Sequence, residues 1–187
     1  GVQLFQEYFD TRAVEVLDPT LLLSADDYKV LIKKSKTQLS KGNLLVYLLD
    51  RTKEKEDFVE RIAQAKGLTP FWMNSDIDDE TLPLEQRIKM PVEQWLRSFD
   101  DAEFVLTDSF HGCVFSIIFR KQFLAVGNKK RGLERFNSLL NLFSIKDRLI
   151  SSPLSNYDNI TEINYAAIDQ KLNGYRLSAM DYLKKTF

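Results

Sequence analysis

The chain has 187 residues, of which 44% are hydrophobic and 28% are charged, a composition typical of a globular protein with one ordinary core. Its 26 basic and 27 acidic residues leave a net charge of −1, so no global field attracts nucleic acid. The single cysteine cannot form an internal disulfide, which fits a reducing compartment. A zinc site usually needs three or four nitrogen and sulfur ligands, and the chain has only one histidine and one cysteine, which argues against such a site.

The N-terminal run GVQLFQEYFD predicts a helix and lacks the basic and apolar regions of a signal peptide. Its apolar stripe of Leu4, Phe5, Tyr8 and Phe9 has no preceding cap, so we expect the chain to be a piece of a longer protein. No apolar run in the sequence approaches the roughly 20 residues that a membrane-spanning helix requires.

The first half of the chain predicts alternating strands and helices. AVEVL at 13–17 predicts a short strand, and Ser24 is expected to cap a helix over SADDYKVLIKKS. NLLVYLL at 43–49 is a near-continuous apolar run, which is typical of a parallel strand buried on both faces. The amphipathic run EKEDFVERIAQAKG predicts a helix that ends at Gly67, and LTPFWM at 68–73 predicts another strand.

The second half continues the same alternation. The acidic stretch 74–90 lacks a firm period and predicts a surface loop. PVEQWLRSF predicts a short helix with Pro91 at its first position, followed by a strand at 102–108. TDSFHGCVFSIIF predicts a turn and a helix, and QFLAVG at 122–127 predicts a strand before a helix over RGLERFNSLLNLF. The tail is expected to form one or two closing helices within 150–187.

This alternation of strands and helices predicts a parallel α/β sheet, in a Rossmann-like layer sandwich. The chain contains no internal repeat, low-complexity tract or linker, so we expect a single Rossmann-like domain over residues 1–187.

The stretch TDSFHG at 107–112 contains the only histidine of the chain. It follows a predicted strand, and ligands of open α/β sheets bind at the loops that lead from strands into helices. The next helix is expected to begin near Gly112 or Cys113, where its first N–H groups favour an anion. Gly112 would let a ligand approach the backbone, His111 would donate a proton or a hydrogen bond, and Ser109 would donate its hydroxyl.

A purely structural interpretation of this stretch stays open beside the functional one. In it, Asp108 or Ser109 caps the helix and His111 is a satisfied polar residue near the core. Cys113 lies in an apolar helix face and is expected to be a core residue rather than a nucleophile, because apolar surroundings raise the pKa of a thiol.

A second candidate loop is GNKKRGLERF at 127–136, which follows the next predicted strand on the same edge of the sheet. Lys129, Lys130 and Arg131 precede a helix start, and Arg135 follows one turn later. Guanidinium groups bind carboxylate or phosphate through two parallel hydrogen bonds. The alternative is a solvated basic turn, but two neighbouring loops with such donors favour an anionic ligand.

Three stretches resemble the polysaccharide pyruvyl transferase family: DPTLLLSADDY, PVEQWLRSFDDAEFVLTDSFHGCVFSIIF and NKKRGLERFNSLLNLFSIKDRL. The resemblance runs from about Val14 to Leu149. It implies the C-terminal half of an enzyme similar to GT-B glycosyltransferases, with a missing N-terminal domain. It also implies transfer of a pyruvyl group from phosphoenolpyruvate to a sugar, as a cyclic ketal, in bacterial capsule or exopolysaccharide biosynthesis.

By this resemblance, His111 matches the motif histidine of the family and would be the general acid. Ser109, Phe110 and Gly112 match its neighbours in the loop. Some members carry an arginine two positions before the motif histidine, where this chain has Ser109. The resemblance therefore places the role of that arginine elsewhere in this chain.

The candidates for that role are Arg131 and Arg135, which we expect to bind the anionic donor together with Lys130. We expect phosphoenolpyruvate as the donor substrate, a saccharide as the acceptor, and no cofactor or metal. The chain alone is expected to be an inactive fragment of a transferase. The missing signal and the cytosolic donor favour a cytoplasmic location, peripheral at the inner membrane face.

Two alternatives remain. A GT-B glycosyltransferase would use the same loops to bind the diphosphate of a nucleotide sugar. A non-catalytic binding domain would use Trp72 and Trp95 as a sugar platform, although both residues suit a core equally well.

Overall fold

The computed structural model of the protein describes residues 2–73, 90–127, 132–154 and 160–186. The chain forms two compact units. The terminal unit comprises Gly1–Leu23 and Tyr165–Phe187, and the sheet unit comprises Ser24–Asn164. The assignment of one domain to residues 1–187 stays a prediction.

The described residues contain helices and strands in the alternation that the sequence predicts. The helices are α1 (Val2–Phe9), α2 (Ala25–Lys34), α3 (Lys53–Lys66), α4 (Val92–Asp101), α5 (Phe110–Ile118), α6 (Glu134–Phe143) and α7 (Tyr165–Thr186). The strands are β1 (Leu44–Tyr47), β2 (Pro70–Trp72), β3 (Phe104–Thr107), β4 (Gln122–Val126) and β5 (Leu149–Ile150). Short 3₁₀ helices occupy Pro19–Leu22 and Lys146–Arg148.

The five strands form one parallel sheet in the order β2-β1-β3-β4-β5. The chain adds β2 on one side of β1 and then returns to add β3 on the other side, so the winding direction reverses between β1 and β3. In doubly wound sheets, ligands bind outside the carboxyl ends of the strands at this reversal. The predicted Rossmann-like α/β fold is confirmed; the comparison with GT-B enzymes stays a prediction.

Helices cover both faces of the sheet. On one face, Leu44 and Val46 pack with Phe58 and Ile62 of α3, and all four are 0% exposed. Because side chains alternate along a strand, Tyr47 lies on the opposite face. Burial of β1 on both faces explains its continuous apolar sequence.

An aromatic cluster fills the second face. The Tyr47 ring meets Trp95 of α4 at 5.9 Å between centroids, and Trp95 meets Phe99 at 4.7 Å and Phe115 of α5 at 4.6 Å. Edge-to-face packing of this kind adds stability beyond the buried area alone. Trp95 is therefore a packing residue of this face.

Helix boundaries follow local sequence signals closely. Ser24 caps α2 in a capping box with Asp27, as predicted for Ser24. Helix α3 ends at Gly67, which has a φ of 65° in the left-handed region. Pro91 is the N-cap of α4 rather than its first residue, so that helix begins one residue later than predicted. The tail contains one long helix, α7.

One predicted strand was wrong, and one strand was not predicted. Residues 13–17 form no strand, and Val14 and Val16 are exposed, so the alternation of these residues does not produce the buried apolar face that stabilises a strand. Strand β5 was missed, since its two residues are too few to show a period. The loop predicted at 74–90 lies, except for its last residue, outside the described residues.

Candidate functional site

The loop after β3 lies at the reversal of the winding, beside the carboxyl end of β1. Helix α5 begins at Phe110, two residues before the earliest predicted start, so His111 lies in its first turn. Ser109 is the N-cap residue, and its Oγ accepts a hydrogen bond from the Gly112 N–H at 3.4 Å. Ser109 therefore caps α5, as the structural interpretation predicted, whereas Asp108 forms other hydrogen bonds.

Asp108 joins the two loops at the reversal. Its buried carboxylate accepts hydrogen bonds from the Leu49 N–H at 2.6 Å and the Asp50 N–H at 3.1 Å, both in the loop after β1. It also accepts one from Lys55 Nζ of α3 at 2.5 Å. This single carboxylate therefore binds two N–H groups of the loop between β1 and α3, and it connects that loop to the loop after β3.

Lys55 is a buried residue that sequence reasoning missed. Its side chain is 10% exposed, and its Nζ also donates to the Asp50 carbonyl oxygen at 2.7 Å. In the sequence it stands within KEKED, which is typical of a solvated helix face. Its distinguishing partner, Asp108, lies 53 residues away along the chain, so no local pattern indicates the pair.

Gly112 makes room for the side chain of Thr107. A Cβ atom at Gly112 would lie 2.2 Å from Thr107 Oγ1. That hydroxyl donates to the Tyr47 carbonyl oxygen at 2.7 Å and accepts from the Ser109 N–H at 3.0 Å. Packing against Thr107 thus accounts for the glycine, and close approach of a ligand at Gly112 stays a prediction.

Phe110 brings His111 and Arg135 to the same place. The exposed His111 ring lies edge-on to Phe110, with 5.3 Å between centroids. The Arg135 guanidinium carbon, from the first turn of α6, lies 3.9 Å from the Phe110 ring centroid. Phe136 contacts Phe110 edge-on at 6.2 Å. The two predicted loops therefore meet at one aromatic ring, with an acid–base side chain and a guanidinium beside it.

Two further candidates, Lys130 and Arg131, lie outside the described residues, so their predicted roles stay predictions. Arg51, which sequence reasoning did not select, follows the carboxyl end of β1. Its guanidinium carbon lies 4.3 Å from the Trp72 ring centroid, and its Nε bonds Glu56 Oε1 at 2.5 Å. Arg51 is therefore a further cation, held in place by these contacts, at the carboxyl ends of the strands, where Arg135 and His111 also lie.

Cys113 is confirmed as a core residue. It is 0% exposed, and burial, with a smaller contribution from the Asp108 charge, raises the pKa of its thiol. A thiol in such surroundings stays protonated and is a poor nucleophile at neutral pH.

The described part of the chain contains no group of three or more His, Cys, Asp or Glu side chains that could hold a metal ion. None of its helices combines the length and the apolar character that crossing a membrane would require.

The sequence model of the family described as polysaccharide pyruvyl transferase matches residues 1–130 of the 187. The chain belongs to the polysaccharide pyruvyl transferase family. The matched range contains TDSFHG and ends before Arg131 and Arg135. No curated protein and no solved structure matches the chain.

Membership in this family makes the chain a transferase domain, and a saccharide acceptor fits such a domain. The resemblance that the sequence analysis identified is confirmed.

Proposed function

We propose that this domain binds phosphoenolpyruvate and transfers its pyruvyl group to two hydroxyls of a saccharide. The observation that carries the proposal is the meeting of His111 and Arg135 at Phe110, beside the winding reversal of the sheet. A pyruvyl transferase needs a proton donor, and cationic groups for a donor that carries a carboxylate and a phosphate; an imidazole and a guanidinium are side chains of these two kinds.

The donor carries a carboxylate and a phosphate, which need hydrogen-bond donors at two points. Arg135 would bind one of them, with Lys130 and Arg131 as further cations from the same loop. The first turn of α5, with Ser109 and Gly112, would contribute the positive end of the helix dipole. The stacking of Arg135 on Phe110 supports this role, because a planar guanidinium held by a ring has fewer orientations to lose on binding.

In the proposed reaction, His111 protonates the methylene carbon of phosphoenolpyruvate, which becomes a methyl group and leaves an oxocarbenium-like carbon. One sugar hydroxyl attacks that carbon and loses its proton. The C–O bond to phosphate then breaks, and the second hydroxyl attacks to close the ketal. One hydroxyl proton restores His111 and the other leaves with phosphate, so the atoms balance without a cofactor.

General acid catalysis of this kind contributes on the order of 10²- to 10⁴-fold in rate. Residues of an N-terminal domain, which the family resemblance implies, would complete the acceptor side. Because phosphoenolpyruvate is a cytosolic metabolite, we place the reaction in the cytoplasm, on a precursor of cell-surface polysaccharide.

A titration of the chain with phosphoenolpyruvate, followed through the imidazole NMR signals of His111, tests the proposal. The signals should shift saturably in the wild type. In Arg135→Ala the affinity for phosphoenolpyruvate should be at least about tenfold weaker, since a hydrogen bond to a charged group is worth roughly 1.5–3 kcal/mol. Arg120→Ala, which removes an exposed arginine of the same unit just after the far end of α5, should bind like the wild type.

An absence of shifts with phosphoenolpyruvate would reject the donor assignment. A saturable response to UDP-glucose in its place would support the glycosyltransferase alternative. Equal affinity in Arg135→Ala and Arg120→Ala would show that the guanidinium on Phe110 does not bind the donor.

A further inference from the structure

A pocket of about 600 Å³ lies in the sheet unit, beside the edge strand β2. Its described walls are the segment 35–41 and strand β2, together with Met90, Pro91, Gln94 and Ser98 before and within α4. Small-molecule sites span about 300–1,000 Å³, so this pocket has the size of a ligand site. None of residues 107–112 lines it, so the pocket is distinct from the donor site proposed above.

Hydrogen bonds fix the shape of the 35–41 wall, although residues 37–40 form no helix or strand. The Gln38 N–H donates to Gln94 Oε1 at 2.8 Å, and Gln94 Nε2 donates back to the Gln38 carbonyl oxygen at 2.9 Å. The Ser40 N–H donates to Asp101 Oδ2 at 2.8 Å. The segment 35–41 is therefore bonded to α4 at two points, which gives this wall of the pocket a defined shape.

The pocket combines apolar surfaces with hydroxyl, amide and ammonium groups. Phe71 pairs in register with Leu45, and lies on the sheet face opposite the α3 core. Its half-buried ring, together with Leu39, which is 73% exposed, offers apolar contact. Ser35 and Thr37 add hydroxyl groups to the wall, and the other polar lining side chains include Lys36, Gln38, Ser40, Lys41 and Gln94.

A sugar ring presents a C–H-rich face to an aromatic ring and surrounds it with hydroxyls that both donate and accept hydrogen bonds. We propose that this pocket binds a saccharide unit of the acceptor chain, away from the unit that receives the pyruvyl group. This inference rests on the proposed transfer to a saccharide and adds a second binding site to it. A polymeric acceptor has sugar units next to the one that reacts, and the pocket would bind one of them.

The test uses the whole chain and three neutral or acidic trisaccharides, built respectively from hexose, N-acetylhexosamine and hexuronate. Two-dimensional NMR of the side-chain amides of Gln38 and Gln94 and the backbone amide of Phe71 reports binding. At least one trisaccharide should shift these signals saturably below about 10 mM, which allows for a weak Kd of about 1 mM.

Leu39→Ser should weaken that binding by roughly three- to tenfold, since it removes apolar contact area. Leu154→Ser is the matched control, because Leu154 is 75% exposed, also lies outside helices and strands, and does not line the pocket. No saturable shift with any of the trisaccharides would overturn the proposal, as would equal weakening by the two substitutions.

The two proposals fail separately. Phosphoenolpyruvate is followed at His111, and the trisaccharides are followed at Gln94. Binding of a trisaccharide without binding of phosphoenolpyruvate would support the pocket and reject the pyruvyl donor. Binding of phosphoenolpyruvate alone would leave the donor site standing and reject the pocket.

Discussion

Replacing Lys55 by Met leaves the Asp108 carboxylate buried with two backbone N–H donors and no cation. The Asp108 side chain is 0% exposed and that of Lys55 is 10% exposed, so water cannot take the place of the ammonium. Removing one partner of a buried ion pair typically costs about 3–5 kcal/mol of the free energy of unfolding. Because the Leu49 and Asp50 N–H groups still stabilise the carboxylate, we expect a loss near the lower end, about 3 kcal/mol.

Urea unfolding followed by circular dichroism measures this loss. Lys53→Met is the control, because Lys53 stands two positions earlier on α3, pairs with Asp57 in solvent, and should change stability little. A double-mutant cycle of Lys55→Met with Asp108→Asn should give a coupling energy above about 1 kcal/mol. A loss below about 1 kcal/mol for Lys55→Met, equal to that of the control, would refute the view that this pair holds the two loops together.

Three further predictions concern the first turns of α5 and the interior of α7. Gly112→Ala should destabilise the protein by about 1–3 kcal/mol, because its Cβ would overlap Thr107. Gly174→Ala has open space around it and should stabilise α7 by up to about 1 kcal/mol. Urea unfolding measures both changes, and the same sign for both would contradict the packing argument. Ser109→Ala should cost about 1 kcal/mol through loss of the helix cap, and an unchanged midpoint would exclude that role. Burial raises the pKa of Cys113 above its ordinary value of 9.0, so above about pH 9 only the thiol of the unfolded chain ionises, and the free energy of unfolding falls as the pH rises. Between about pH 8 and pH 10 the wild type should therefore lose more stability than Cys113→Ala. Parallel curves of stability against pH for the two proteins would count against the raised pKa.

Much of the fold could be predicted because its signals are local. The apolar run of β1, the Ser24 cap and the glycine after α3 each act within a few residues. The failures have a different origin. AVEVL at 13–17 has strand-like alternation, but Val14 and Val16 are exposed and the segment forms no strand, whereas β5 is a strand because β4 lies beside it.

The candidate site divides in the same way. His111 and Arg135 could be selected because each follows a predicted strand, and parallel strands bring such loops to one edge of the sheet. Lys55 could not, since its charge looks solvated until Asp108 is placed against it. The start of α5 was predicted too late, near Gly112 or Cys113, because residues 108–112 were all assigned to the loop, whereas Ser109 caps the helix and the helix begins at Phe110.

The contact between Thr107 and Gly112 has a consequence for the entropy of binding. The Thr107 hydroxyl bonds both the neighbouring strand and the Ser109 N–H, and its side chain fills the space above Gly112. These contacts hold the backbone of the first turn of α5 against β3, so the position of the His111 backbone is set by Thr107 and Ser109. For the proton donor that we propose at His111, a backbone already ordered in this way would lower the entropy lost when the substrate binds.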